Sequence, residues 1–187
     1  EVAYSEALGM PLDRVEFGEE FFTVEDLFED LEKVLEGLSK SNTPALYIVD
    51  SLDALSDRDE LSREIDKGTY GAQKAKLMSQ LFRRTVQRLS KQRVHLMVIS
   101  QVRDSMNAMP FGKKTTRSGG RALDFYASQI ILLSRLKTLN RTIKGVERAT
   151  GIRVRAFLDK NKISLPYREA EFEVSFGYGV NDLLASL

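Results

Sequence analysis

Cysteine is absent from the 187 residues, and histidine occurs once. The first absence excludes disulfides, thiolate metal ligands and thiol catalysis, and the single imidazole of His95 cannot build a metal centre alone. His95 stands just ahead of an apolar run, where a structural role is the ordinary one. No apolar stretch approaches the ~20 residues that span a bilayer, and no signal-peptide pattern opens the chain. A soluble protein with a cytoplasmic setting and no membrane partner is expected. With 187 residues and 42% hydrophobic composition the chain can bury a core, and its length suits one globular domain.

A net charge of +1 conceals an asymmetry. Residues 1–40 carry twelve acids and three bases, and residues 41–187 carry fifteen acids and twenty-five bases. That separation fits an acidic outer face and a basic working face for a polyanion. A solvated acidic helix with scattered surface lysines explains it equally well.

Apolar residues at Val24, Leu27, Phe28, Leu31, Val34, Leu35 and Leu38 recur at helical spacing, with Thr23 placed as N-cap and acids in the first turn. This predicts an amphipathic helix over 23–39. A second helix is expected over 71–92, with Leu77, Met78, Leu81, Phe82, Val86 and Leu89 inward. Lys74, Lys76, Arg83, Arg84, Arg88 and Lys91 would form an outward face without acids. Between the helices lies Leu46-Tyr47-Ile48-Val49-Asp50-Ser51, and after the second comes Leu96-Met97-Val98-Ile99-Ser100-Gln101-Val102-Arg103. Each is an apolar run, rich in β-branched residues, that ends abruptly in a polar side chain. Both read as buried parallel strands delivering a group to the sheet's carboxyl edge, where open α/β folds bind ligands.

Residues 56–69 read as an exposed polar excursion, and residues 103–120 as a long loop with no strand or helix periodicity. A short helical turn over 123–126, a strand over 129–134, a hairpin turn within 140–151 and strands over 153–160 and 170–176 follow. The order helix, strand, helix, strand, then several strands fits a doubly wound α/β sheet extended by an antiparallel edge.

Four constellations carry chemistry. Asp50 follows four residues that no water should reach, and a hydrated Mg²⁺ is the usual partner of such a carboxylate; a plain turn cap through Ser51 is the alternative. Gln101, if its strand neighbours that of Asp50, could report the state of a terminal phosphate into the loop it begins; a strand-end amide satisfying backbone is the alternative. Thr115-Thr116-Arg117-Ser118-Gly119-Gly120-Arg121 offers glycine backbone, hydroxyls and guanidinium groups as a cradle for single-strand phosphates, or is a basic flexible loop. Lys160 and Lys162 lie two apart on an extended chain, so both could address one anion, or they decorate a solvated strand end.

Taken together, these residues resemble the RecA recombinase core, of the bacterial type or a phage-encoded relative. The matching strings are Ile48-Val49-Asp50-Ser51, Leu77-Met78-Ser79-Gln80, Ser100-Gln101-Val102-Arg103, the stretch from Thr115 to Ser128, Lys160-Asn161-Lys162-Ile163 and Ala170-Glu171-Phe172. They occur in family order over almost the whole chain. The resemblance implies a RecA-type P-loop NTPase core with a mostly parallel central sheet, flanking helices and an antiparallel extension. It makes Asp50 the Walker B carboxylate that holds Mg²⁺ through water, beside Ser51, and Gln101 the link from the γ-phosphate to the second DNA loop. It places Tyr4 and Phe176 against adenine, Lys160 and Lys162 at the nucleotide of a neighbouring subunit, and Phe125 at the subunit interface. A first DNA loop would span about 63–71 with Tyr70 at its tip, and a second about 103–120. In the second loop and just beyond it, Arg103, Met106, Arg117, Ser118, Gly119, Gly120 and Arg121 would meet DNA. Lys76, Ser79 and Arg83 would support the DNA from the second helix.

The implied function is ATP- and Mg²⁺-dependent filament formation on single-stranded DNA and strand exchange with homologous duplex, in recombination and repair. The family's phosphate loop, G-x-x-x-x-G-K followed by Ser or Thr, occurs nowhere in the 187 residues. The expectation is therefore a core fragment that begins after the phosphate loop and the catalytic Glu and that does not hydrolyse ATP alone. Each DNA loop carries a one-residue insertion, and Asp124 stands where the family more often has Lys. Two other readings keep parts of this pattern: a helicase-like or clock-type RecA-fold ATPase, which would need Asp50 but not two DNA loops, and a non-enzymatic regulator that occupies a recombinase interface.

Overall fold

The computed structural model describes residues 2–18, 21–41, 43–62, 71–104, 115–117 and 122–186. The elements run α1 (Val2–Ala7), α2 (Val24–Leu38), β1 (Ala45–Val49), α3 (Arg58–Ser62), α4 (Gly71–Lys91), β2 (Val94–Val98), β3 (Val102–Asp104), β4 (Thr115–Arg117), α5 (Ala122–Tyr126), β5 (Gln129–Ile143), β6 (Val146–Asn161), β7 (Glu169–Ser175) and β8 (Gly179–Ser186). The architecture is mixed α/β, with a small parallel sheet and a larger antiparallel one. Two compact units divide the chain, one from 19 to 126 and one from 1–18 with 127–187. No described helix is long and apolar enough to cross a membrane.

In the 19–126 unit, α2 begins where expected. The Thr23 hydroxyl accepts from the Asp26 amide at 3.1 Å, and Glu25 and Asp26 sit in the first turn against the helix's positive end. Val24, Leu27, Leu31 and Leu35 form its buried stripe. Each such burial contributes about 1.5–3 kcal/mol. The stripe meets Met78, Leu81, Phe82 and Leu89 of α4, with Val49, Val94 and Ala122 completing the core. Strands β1 and β2 pair in parallel from Ala45↔Val94 to Val49↔Val98, and α4 belongs to the crossover that a parallel pair requires.

Three expectations are corrected here. The β1 run is not dry throughout: Ala45, Tyr47 and Val49 face the core, but Leu46 and Ile48 are 55% and 49% exposed. The helices pack on one face of the pair, so burial alternates with the strand's period of two. Residues 56 and 57 are not part of an exposed excursion, since Ser56 bridges Thr23 in backbone pairing and Asp57 is buried. Nor does Lys74 belong to the basic outer face. It is buried, and its ammonium donates to the carbonyls of Leu52, at 2.9 Å, and Leu55. The turn after β1 leaves those two carbonyls away from water, and a buried acceptor needs a donor.

The other unit is built on a four-stranded antiparallel sheet in the order β5-β6-β7-β8. The hairpin turn expected within 140–151 occupies only Lys144 and Gly145, both at positive φ (51° and 77°), the two-residue turn that suits strand twist. The strands therefore run far closer to the tip than anticipated, because Asn140 and Glu147, polar residues read as loop, pair across the ladder at 2.9 Å. Between β6 and β7 the backbones come close at Gly151, where a Cβ would stand 2.5 Å from the Val174 carbonyl oxygen.

Lys74→Ala should lower the denaturant-unfolding free energy by about 1–3 kcal/mol, while Lys76→Ala, at an exposed position, should leave it within about 0.5 kcal/mol. Equal midpoints for the two variants would show that the ammonium does not hold the turn. For Gly151→Ala, amide exchange across the β6–β7 ladder should accelerate by at least about fivefold. Unchanged exchange would mean that the ladder absorbs the extra carbon without opening.

Candidate nucleotide-binding site

The carboxyl edge of the parallel pair gathers the first two candidates. Asp50 is exposed directly after β1, and the peptide joining it to Ser51 is cis. Ser51 starts the short 3₁₀ turn Leu52–Ala54 without a side-chain cap, so the cap reading of this pair does not hold. The edge is laced to the strand beside it: the Ile99 amide donates to the Val49 carbonyl at 2.9 Å, and the Leu52 amide to the Ile99 carbonyl at 3.0 Å. Gln101 is exposed just beyond this lacing, and its backbone N–H donates to the Asp53 carboxylate at 2.7 Å. Asp50, Ser51 and Gln101 therefore share one edge, as their places at the ends of neighbouring strands anticipated.

An exposed carboxylate at a strand end suits a hard, hydrated cation. Mg²⁺ keeps several waters and needs only one or two carboxylates, and Asp50 can supply one. Among the described residues no group of three or more Asp, Glu, His or Cys side chains is arranged to hold a metal ion directly.

Gln101 opens onto β3, and here another expectation is corrected. Residues 103–120 are not wholly irregular: β3 and β4 pair antiparallel, with Val102↔Arg117, Arg103↔Thr116 and Asp104↔Thr115. Three residues per strand are too few for periodicity to register. Arg103 and Arg117 thus lie on this ladder. Tyr70, Met106, Ser118, Gly119, Gly120 and Arg121 lie outside the described residues.

The basic residues of α4 divide by direction. Lys74 points inward; Arg84 lies over the Phe28 ring, 5.3 Å from its centre, and Arg88 pairs with Glu32 of α2. Lys76, Arg83 and Lys91 remain exposed, while Ser79 is half-buried and donates to the Ala75 carbonyl at 2.9 Å. In α5, Phe125 is exposed and meets Tyr126 edge to face at 5.1 Å.

The remaining candidates belong to the other unit. Lys160 is the penultimate residue of β6, opposite Ile130, and the Lys162 amide donates to the Ser128 carbonyl at 2.9 Å. Asn161, between them, is fixed by its side-chain oxygen Oδ1, which accepts from the Ile163 amide at 3.1 Å and from the Gln129 side chain at 3.3 Å. Desolvation, and then repulsion from Lys162, hold the Lys160 ammonium below its ordinary range. Two cations that repel each other are relieved by an anion between them. Phe176 is 52% exposed on the turn after β7, tied by its amide to the Thr150 carbonyl at 2.9 Å. Gly179, at the end of that turn, packs near Leu8, four residues beyond Tyr4 on the chain that leaves α1.

Two residues were missed. Lys74 carried a signal, since it falls in helical phase with Met78, Leu81 and Thr85, all buried. Asp53 carried none, because an acid in a turn looks like any other surface acid.

Residues 1–181 match the model of the RecA N-terminal domain. The chain is 34% identical to Protein RecA of Wolinella succinogenes, over 97% of the chain and 49% of that relative. It is 35% identical to Protein RecA of Sulfurovum sp., over 97% of the chain and 49% of the relative, and 33% identical to that of Nitratiruptor sp., over 97% and 50%. The chain spans about half the length of these relatives. With the strand-end carboxylate, the strand-end amide and the paired lysines in place, the match over nearly every residue means that this chain belongs to the RecA N-terminal domain family.

Proposed function

We propose that residues 1–187 form part of a recombinase core that binds ATP, polymerises on single-stranded DNA and exchanges strands with homologous duplex, in DNA recombination and repair. The observation that carries this reading is the common edge of Asp50 and Gln101, with Gln101 at the threshold of the β3–β4 ladder. A nucleotide there would meet Asp50 through hydrated Mg²⁺, and Gln101 would contact the terminal phosphate. A contact made at the root of a loop biases that loop between two arrangements. Bound ATP with Mg²⁺ supplies a phosphoryl group whose presence or loss sets that bias.

In this reading Tyr4 and Phe176 take the base. Lys160 and Lys162 reach the nucleotide of the next subunit, where Phe125 joins the interface and the filament stiffens while ATP is held. DNA lies along the two loops, at 63–71 and 103–120, with Lys76, Ser79 and Arg83 behind it. Phosphate contacts hold the strand and base pairing reads it, so binding weakens steeply with salt. Turnover requires a polypeptide that also supplies a phosphate loop, a string these residues lack.

The reading is tested by anisotropy of a labelled oligothymidine, using the longest natural polypeptide that contains residues 1–187. A non-hydrolysable ATP analogue should tighten DNA binding by about tenfold or more, and Asp50→Asn or Gln101→Ala should remove that gain. DNA affinity indifferent to nucleotide in the unaltered protein would overturn it.

The lysine pair gives a pH signature with a definite sign. The anion binds the protonated ammonium, so nucleotide affinity on assembled filaments should fall as pH rises through the lowered Lys160 range, before ordinary lysines titrate. Calorimetric titrations at a series of alkaline pH values should show this slope in the unaltered protein and a flatter one in Lys160→Met. Identical slopes would remove Lys160 from the nucleotide site.

A further inference from the structure

We propose that Asp53 is a positioning residue that couples the Asp50 turn to the Gln101 hinge, an inference that rests on the nucleotide reading above. Gln101 lies between β2 and β3, outside both ladders, so its backbone N–H has no strand partner. Asp53 provides the acceptor instead, through one carboxylate oxygen at 2.7 Å. Because Asp53 stands three residues after Asp50 in the Leu52–Ala54 turn, a displacement of that turn is handed to Gln101, the residue immediately before β3. The bonds from Ile99 to Val49 and from Leu52 to Ile99 act only between backbones of the turn and the strand. Among the described residues, Asp53 is the one side chain that reaches across to the hinge residue itself.

The same place holds two polar atoms with no partner among the described residues. The second Asp53 oxygen and the Ser100 hydroxyl are both buried, and neither has a hydrogen-bond partner among the described residues. Buried acceptors and donors left unmade disfavour the arrangement that contains them. A second arrangement of residues 100–101 that pairs either atom is thereby brought closer in energy, and a two-state element of this kind is what nucleotide can bias. Asp53 therefore sets how strongly the presence of nucleotide is felt at the DNA loop, without touching nucleotide or DNA.

The test is the coupling ratio, the affinity for labelled oligothymidine with the ATP analogue divided by that without it, in the longest natural polypeptide containing residues 1–187. Asp53→Ala should lower the ratio by at least about fivefold, and Asp53→Asn, which keeps an acceptor oxygen, should restore most of it. DNA affinity without nucleotide should stay within about twofold, which a merely structural defect would not preserve. Asp53→Glu, which keeps the charge and moves the carboxylate by one methylene, decides the matter should Asp53→Ala fail to unfold cooperatively, and it too should lower the ratio. A full ratio in folded Asp53→Ala or Asp53→Glu overturns the proposal while the nucleotide reading stands. A ratio of one in the unaltered protein removes both.

Discussion

A parallel ladder obliges the chain to leave both strands at the same edge. Because Val49 pairs with Val98, whatever follows Val49 must lie near whatever follows Val98. Asp50 and Gln101, fifty-one positions apart in sequence, are neighbours for that reason alone. An antiparallel pairing of the same two strands would have put them at opposite ends. The burial that fixes this register is one-sided: Ala45, Tyr47 and Val49 share the face of Val94, Leu96 and Val98, and a slip by one residue would exchange that face for Leu46, Ile48 and Met97. Tyr47 adds a polar lock, its hydroxyl donating to Asp30 of α2 at 2.6 Å, and burial followed by that carboxylate raises it above its ordinary range. The helix that fills the core therefore also senses the register of the strand that presents Asp50.

The edge is fixed from behind as well. A turn that carries an exposed carboxylate must put its other polar groups somewhere, and the Leu52 and Leu55 carbonyls point into the protein with their apolar side chains buried alongside. Lys74 answers them from the first turns of α4. Burying an ammonium is costly unless its donors are matched, and two carbonyls match part of that need. The turn is thus clamped between Lys74 on the core side and Asp53 on the strand side. Asp50 stays exposed while its neighbours are hydrogen-bonded on both sides, an arrangement that would help preorganise the proposed water-mediated cation site.

What could be read in the sequence follows from the length of the signal. The fifteen residues of α2 and the twenty-one of α4 repeat their apolar stripe several times, and Thr23 announces the start of the first. The strand ends at Asp50 and Gln101 were legible because an apolar run that stops on one polar side chain is a sharp edge. Features that depend on contacts across the chain were not. The burial of Lys74 needs the carbonyls of a turn nineteen or more residues away, and the role of Asp53 needs the amide of a residue forty-eight positions later. The β3–β4 ladder failed for a different reason, since three-residue strands are specified by their flanks rather than by their own pattern. The resemblance alone supplied the proposed roles of Tyr4, Phe125 and Phe176, which composition and periodicity would not have chosen, whereas their spacing on an extended chain had already marked Lys160 and Lys162 as a pair able to address one anion.

The charge asymmetry gains a physical meaning from the pairing of α2. Three of its six acids stand in ion pairs: Arg58 holds Asp26 at 2.6 Å and Glu29 at 2.8 Å, and Arg88 pairs with Glu32. Arg58 and its threonine cap keep the Asp26 carboxyl below the usual range. Exposed pairs of this kind contribute little stability, about 0–1 kcal/mol each. Their larger effect is on the field, because a carboxylate beside a guanidinium repels a distant polyanion weakly. Lys76, Arg83 and Lys91 of α4 make no such ion pair among the described residues, so their charge stays available to solvent. An acidic helix packed directly against a basic one would otherwise oppose any polyanion approaching α4. By pairing three of the α2 acids the arginines weaken that opposition, while Lys76, Arg83 and Lys91 keep the outer face of α4 basic, the condition under which phosphate contacts and released counterions can drive binding.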